Sequence, residues 1–214
     1  MSDAVKISTF NSHPAVQVRR ESPLTLTYHN QGRPEASERS GVTLRERPFC
    51  GHLILRGGAI VLDQALRDVL GIGLPGQPLG LVTHESGEIS AQWLSPDEWL
   101  LIVPEGSEFE VENRLRAALG DAHFAITNAS GGQTLLELRG EKVRELLMKS
   151  VVYDVHPDNF PVGKGVTTVF AKTTAILRRP DNDCWELVVR RSFADYLWRW
   201  LLDAGEEYDI GIIP

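Results

Sequence analysis

Three short segments have residue types and spacing that could carry chemistry. In Asp154-Val-His156-Pro157 a carboxylate stands two residues before an imidazole. That spacing can orient a ring nitrogen, and it equally suits a turn in which both side chains satisfy backbone groups. Arg190-Arg191-Ser192 joins a predicted strand to a predicted helix. Two guanidinium groups there can hold a carboxylate, a phosphate or an acidic partner surface, or simply face solvent in a turn. Gly71-Ile-Gly73-Leu-Pro-Gly76 spells GxGxxG, but a dinucleotide site needs a strand before the motif and a helix starting inside it. Here a helical pattern precedes it and Pro75 and Pro78 block a helix beyond it, so the stretch reads as a Gly/Pro loop.

Other constellations are thinner. Cys50 and His52 form the only close Cys/His pair, with no second pair at zinc-ligand spacing. The GxxxxGK[ST] phosphate loop is absent, and the six histidines stand in no recognisable nucleophile arrangement. A net charge of −7 argues against nucleic acid or an anionic membrane as the main partner. Two widely spaced cysteines, Cys50 and Cys184, fit buried free thiols in a reducing compartment. The chain has no basic start leading into an apolar run and no stretch of 18 apolar residues, so the expectation is a cytoplasmic protein without a membrane span.

The elements that must position these segments repeat. His52–Gly57 reads HLILRG and Leu135–Gly140 reads LLELRG; their Leu-Arg-Gly triplets start 83 residues apart. The apolar runs starting at Trp99 and Trp185 lie 86 residues apart. Two matches at nearly one offset point to an internal duplication. The first copy reads as strand, helix Ala59–Leu70 closed by Gly71, strands over 79–83 and 88–94, strand Glu98–Val103, helix Glu108–Leu119 capped by Ser107, and strand His123–Asn128. The second reads as strand Gln133–Arg139, helix Glu141–Ser150, a Pro/Gly/Asp loop, an extended Val166–Arg179, strand Cys184–Arg190, helix Phe193–Ala204 capped by Ser192, and strand Tyr208–Ile213.

The predicted architecture is therefore α+β: two ferredoxin-like βαββαβ units, 49–130 and 131–214, after an extended N-terminal arm over 1–48. That arm is polar and carries two short apolar alternations, Ala15–Val18 and Leu24–Tyr28. It is either a solvated tail or a segment that orders on a partner. In the last helix, Tyr196 and Trp200 share the predicted core face while Trp198 points elsewhere. Trp198 is then either an interface anchor or covered by a second core layer.

Tyr153-Asp-Val-His-Pro-Asp-Asn-Phe160 with Gly163, Val189-Arg-Arg-Ser-Phe-Ala-Asp-Tyr-Leu-Trp198 with Trp200 and Leu201, and Trp93-Leu-Ser-Pro-Asp-Glu-Trp-Leu-Leu101 resemble the gamma subunit of heterotetrameric sarcosine oxidase. The resemblance runs from about Cys50 to the C-terminus. It implies a place in an enzyme that demethylates sarcosine to glycine, reduces oxygen to hydrogen peroxide and passes the one-carbon unit to tetrahydrofolate. It also implies alpha and beta partners holding FAD, FMN, NAD and the folate site, a zinc-binding delta partner, and no cofactor on this chain.

The fold implied is that of the folate-dependent aminomethyltransferases, in which a strand after the Pro/Gly loop carries an acid near the folate. The matching position falls at Thr173 or Thr174, and no Asp or Glu occurs between Asn159 and Pro180. A hydroxyl cannot replace that carboxylate as a base. The expectation is a non-catalytic accessory subunit without catalytic, cofactor or metal residues, contacting its partners through Asp154, His156, Arg190, Arg191 and Trp198. A stand-alone folate-binding or aminomethyl-transferring protein is the alternative.

Overall fold

The computed structural model describes residues 20–30 and 35–213; the Ala15–Val18 alternation lies outside them. In chain order the elements are α1 (Thr25–Asn30), β1 (Thr43–Arg47), β2 (Gly51–Gly57), α2 (Ala59–Leu70), β3 (Leu81–Thr83), β4 (Ser90–Ser95), β5 (Glu98–Val103), α3 (Glu108–Leu119), β6 (Phe124–Asn128), β7 (Gln133–Arg139), α4 (Val143–Met148), β8 (Lys164–Phe170), β9 (Thr173–Asp181), β10 (Cys184–Arg190), α5 (Ala194–Ala204) and β11 (Gly211–Ile213). The class is α+β. One sheet runs β3-β4-β5-β2-β6 and the other β11-β1-β7-β10-β9-β8. All neighbours are antiparallel except β1 and β11, which pair in parallel.

Each sheet is covered by helices on one face and by the other sheet on its second face, so its central strands must be apolar on both sides. In β5, Trp99, Leu101 and Val103 join the core under α2 and α3. The alternate residues Leu100 and Ile102 meet Leu135, Ile176 and Val188 of the other sheet. In β10, Trp185, Leu187 and Val189 face the core shared with α4 and α5. The continuous apolar runs that mark these strands in the sequence are thus two interleaved sets of contacts.

The layer between the sheets is partly polar. Arg178 pairs with Glu186 at 2.6 Å, both nearly inaccessible to solvent, and donates to Ser90 Oγ on the opposite sheet at 2.9 Å. Gln92 donates from Nε2 to the Gly165 carbonyl at 3.0 Å. Backbone bonds from Leu81 to Gly163 and from Gly165 to Leu79, each 2.8 Å, stitch the sheets together along one side.

Several expectations are corrected. The 1–48 segment is not wholly extended: residues 25–30 form a helix, and residues 43–47 form a strand lying between β7 and β11. The Leu24–Tyr28 alternation turns helical because Leu24 and Tyr28, one turn apart, both reach the core over α5. Val166–Arg179 is a hairpin rather than one extended run; its bend uses Ala171 at φ 51°, a turn that no Gly, Pro or Asn announces. Ser107 and Ser192 make no side-chain cap. Ser107 donates its hydroxyl to the Pro104 carbonyl at 2.7 Å, and Ser192 lies in a 3₁₀ turn, Arg191–Phe193, ahead of α5. In α2, Ile60 is 87% exposed, and Leu62, Ala65 and Leu66 carry the packing.

The repeated Leu-Arg-Gly triplets end β2 and β7, and both glycines have positive φ, 152° at Gly57 and 122° at Gly140. A side chain at Gly140 would collide with the Gly41 carbonyl, where the arm runs into β1. At Gly57 the nearest atom to an added Cβ is the His123 carbonyl oxygen, 3.1 Å away. We expect Gly140→Ala to cost about 3 kcal/mol in urea unfolding and Gly57→Ala about 1 kcal/mol, since strain adds to collision only at Gly140. Equal losses would contradict this account.

Candidate functional site

The structure disperses the predicted site residues. Asp154 and His156 lie on the exposed loop between α4 and β8. Asp154 accepts the backbone N–H of His156 at 2.9 Å and the side-chain amide of Asn159. The His156 backbone N–H is the main cause holding the Asp154 carboxyl below its ordinary pKa, with Asn159 adding to it. His156 in turn accepts the Asp158 N–H through Nδ1 at 3.3 Å. The segment is a turn built by its own polar side chains; the carboxylate does not hold the imidazole. Val155 and Pro157 help line a 390 Å³ cavity with Arg144, Arg179 and Trp185.

Trp198 is a correction. It is 1% exposed and packs edge-on against Tyr28 with ring centroids 5.3 Å apart. The buried stripe of α5 is Ala194, Leu197, Trp198 and Leu201, while Tyr196 lies at the surface. Trp200, half-buried, packs against the same core and donates from Nε1 to Ser150 Oγ at 3.1 Å, so of the predicted aromatic pair only Tyr196 is on the surface. The covering layer is the N-terminal segment itself. Leu24 is fully buried, Thr27 donates to Asp195 at 2.5 Å, and Ser22 donates to the buried Glu46 at 2.8 Å.

Arg190 and Arg191 are exposed at the passage from β10 to α5. Arg191 donates from its side chain to the Glu21 carbonyl at 2.8 Å, and its N–H meets the Gly132 carbonyl at 2.9 Å. The corner and the N-terminal segment enclose a groove of 580 Å³. Here two predicted residues and an exposed apolar side chain, Leu26 at 70%, meet.

The GxGxxG stretch follows α2, and Gly71 caps that helix through its N–H to the Arg67 carbonyl. Asp63 pins the loop by accepting the Leu74 N–H at 2.7 Å. Thr173 is buried and Thr174 exposed at the start of β9. Cys50 and Cys184 are buried free thiols.

Sequence reasoning missed one cluster. Ligand atoms of Glu137, Cys184 and Glu186 lie within 4.8 Å of one another. The β7–β10 register creates it by placing Glu137 opposite Glu186 and Cys184 opposite Arg139, a pairing that linear spacing does not reveal. Both carboxylates are engaged by guanidinium groups: Glu186 by Arg178 at 2.6 Å and Arg47 at 3.4 Å, and Glu137 by Arg139 at 2.7 Å. Burial, reinforced by Glu186, pushes the Cys184 thiol pKa up and keeps it protonated. The cluster is an ion-pair network with a neutral thiol at its centre, poorly matched to a cation that needs thiolate and free carboxylate donors.

The "Sarcosine oxidase, gamma subunit family" pattern matches residues 57–207. Sarcosine oxidase subunit gamma of Corynebacterium sp. (strain P-1) is 38% identical over 179 residues, covering 81% of this chain and 85% of the relative. This chain belongs to the sarcosine oxidase gamma subunit family. The Arthrobacter sp. subunit gamma is 34% identical over 81% of this family member and 85% of its own length. A solved chain of heterotetrameric sarcosine oxidase from Corynebacterium sp. U-96, in complex with pyrrole 2-carboxylate, superposes with TM-score 0.78 at 30% identity, covering 91% of this chain and 99% of that one. Aminomethyltransferase T of the glycine cleavage system from Bartonella henselae shares the fold, with TM-score 0.64 at 12% identity over 89% of this chain and 58% of that one.

His52 yields a prediction. It sits fully buried in the inter-sheet layer, with Nδ1 on the Cys50 carbonyl at 2.9 Å and no partner for Nε2 among the described residues. Burial, with a smaller push from Arg178, lowers its pKa from 6.5 to about 4. The unfolded chain therefore takes up this proton first. The fold keeps the full benefit of a neutral imidazole above pH 6.5 and loses it progressively as pH falls to about 4. Between pH 7 and 4.5 the wild type should lose about 2 kcal/mol more than His52→Gln in denaturant titrations. Parallel losses in both proteins would refute this.

Proposed function

We propose that this chain is the non-catalytic gamma subunit of a heterotetrameric sarcosine oxidase, assembled with alpha, beta and delta subunits in the cytoplasm. The complex oxidatively demethylates sarcosine to glycine, releases hydrogen peroxide and passes the one-carbon unit to tetrahydrofolate. FAD, FMN, NAD, tetrahydrofolate and zinc belong to the partner subunits in this reading. The observation that carries it is the superposition on a chain of a solved heterotetrameric sarcosine oxidase over nearly the full length of both.

The chain's own chemistry supports a scaffold role. Asp154 builds a turn, Glu186 and Glu137 are bound by arginines, and the Thr173–Thr174 position offers hydroxyls where the aminomethyltransferase resemblance calls for a carboxylate. We read residues 49–130 and 131–214 as two copies of one ferredoxin-like βαββαβ unit. The shared strand order supports this: β4-β5-β2-β6 in one sheet parallels β9-β10-β7-β11 in the other, with β1 inserted before β11. The segment before residue 49 is then a strap on the second unit. Asp154, His156, Arg190 and Arg191 are the proposed partner-facing residues; Trp198 leaves that set because the strap covers it.

Co-expression with the other subunits tests this. The tagged chain should bring down the flavin-bearing subunits in one-to-one proportion. Purified alone it should be colourless and release no hydrogen peroxide from sarcosine. Sarcosine oxidation by the lone chain, or failure to recover any partner, would overturn the reading.

A further inference from the structure

Two strand-to-helix corners lie side by side on this molecule, and the N-terminal segment passes between them. In the first half β5 leads to α3 through Pro104-Glu105-Gly106-Ser107. Arg20 meets Glu105 there at 2.7 Å and also lies over the Phe49 ring, 4.6 Å from its centroid. In the second half β10 leads to α5 through Arg190-Arg191-Ser192, a corner of opposite charge. The next residue of the strap, Glu21, gives its carbonyl to Arg191 at 2.8 Å. The acidic corner is therefore already met by a basic side chain of an extended segment. At the basic corner Arg191 is met by two backbone carbonyls, those of Glu21 and Gly132.

Arg190 is the consequence. It is exposed, and among the described residues its side chain has neither a hydrogen bond nor an ion pair. It lines the 580 Å³ groove together with Pro23, Leu26 and Ser192. Leu26 is 70% exposed, and Phe193, just past the corner, is 40% exposed. A guanidinium without an ion pair among the described residues, in one groove with the exposed Leu26 and on a chain of net charge −7, marks a surface suited to a specific acidic and apolar partner.

We propose that this groove receives an extended segment of a neighbouring subunit, whose carboxylate pairs with Arg190 and whose adjacent apolar side chain packs on Leu26. The inference rests on the subunit reading above and adds the chemistry of the contact. It repeats, with charges exchanged, the way Arg20 engages Glu105. The strap forms one wall of the groove, so the contact exists only when Leu24, Ser22 and Thr27 have docked on the second sheet and α5. Arg190 fits the task better than a lysine would, because its planar fork grips a carboxylate through two parallel bonds.

The test uses the assembled complex. Holo-complexes carrying wild type, Arg190→Glu, Arg190→Lys or Lys172→Glu are diluted, and retention of the chain is followed by mass photometry at several salt concentrations. Lys172 lies at the exposed β8–β9 bend, at the same end of the sheet as Arg190 but outside the groove lining, and supplies a matched charge reversal. Arg190→Glu should raise the half-dissociation concentration by at least about thirtyfold, with Arg190→Lys in between. Lys172→Glu should stay within about twofold of wild type. Melting of the Arg190→Glu chain should match wild type, since the side chain makes no hydrogen bond or ion pair among the described residues.

An Arg190→Glu complex as tight as wild type overturns the inference and leaves the subunit reading standing. So does equal weakening by Lys172→Glu, or a dimer of the isolated chain that Arg190→Glu dissolves, since the occupant would then be a second copy. If the wild-type chain enters no complex, both readings fall.

Discussion

The second half of this molecule depends on the β7–β1–β11 ladder. β1 pairs antiparallel with β7 across five residue positions, from Thr43 opposite Arg139 to Arg47 opposite Leu135. On its other edge it pairs in parallel with β11. Without β1 the last strand would have no strand neighbour at that position, because among the described residues β11 pairs with no other strand. The close approach is possible because Gly140 has no side chain where the backbone of Gly41 passes. A strand borrowed from the start of the chain is thus the means by which its end is held.

From that ladder the strap follows. Once β1 is placed, the residues before it run back over α5. Leu24 and Tyr28 close the core around Trp198, and Glu46 of β1 receives hydroxyls from both Ser22 and Thr134 at 2.8 Å. A buried carboxylate is tolerable only when such donors satisfy it. The same path sets Arg20 against Glu105 and Glu21 against Arg191, tying the two halves together on the outside. Arg178 ties them on the inside through Glu186 and Ser90. A buried pair of this kind is weak evidence for stability but costly to break singly; here its clearest effect is to fix how the two sheets face each other.

Edges are also managed. The outer edge of β6 has no strand partner, and Arg116 of α3 reaches down to its Ile126 carbonyl at 2.9 Å while its guanidinium lies 5.8 Å from the Phe124 ring centroid. In the second sheet β1 is inserted between β7 and β11, so β11 lies one strand further out. The two sheets of this chain are therefore finished differently: a charge blunts the edge of one, and an extra strand widens the other.

The sequence by itself determined the strands and helices whose signal is local. Glu98–Val103 and Ala59–Leu70 are legible because apolar runs and helical stripes are set by which faces must be buried, and the Leu-Arg-Gly repeat marks the opening strand of each half. It also placed Arg190 and Arg191 at a strand-to-helix corner. Only the tertiary structure decided the rest. A polar segment such as Thr43–Arg47 becomes a central strand because a partner ladder exists, which no local propensity records. Trp198 is buried because a distant segment covers it. The Glu137–Cys184–Glu186 cluster exists because strand register brings those residues together. Arg191 meets the strap because the folded chain brings the Glu21 carbonyl to its corner. These are contacts between residues far apart in the chain, and spacing along the sequence cannot express them.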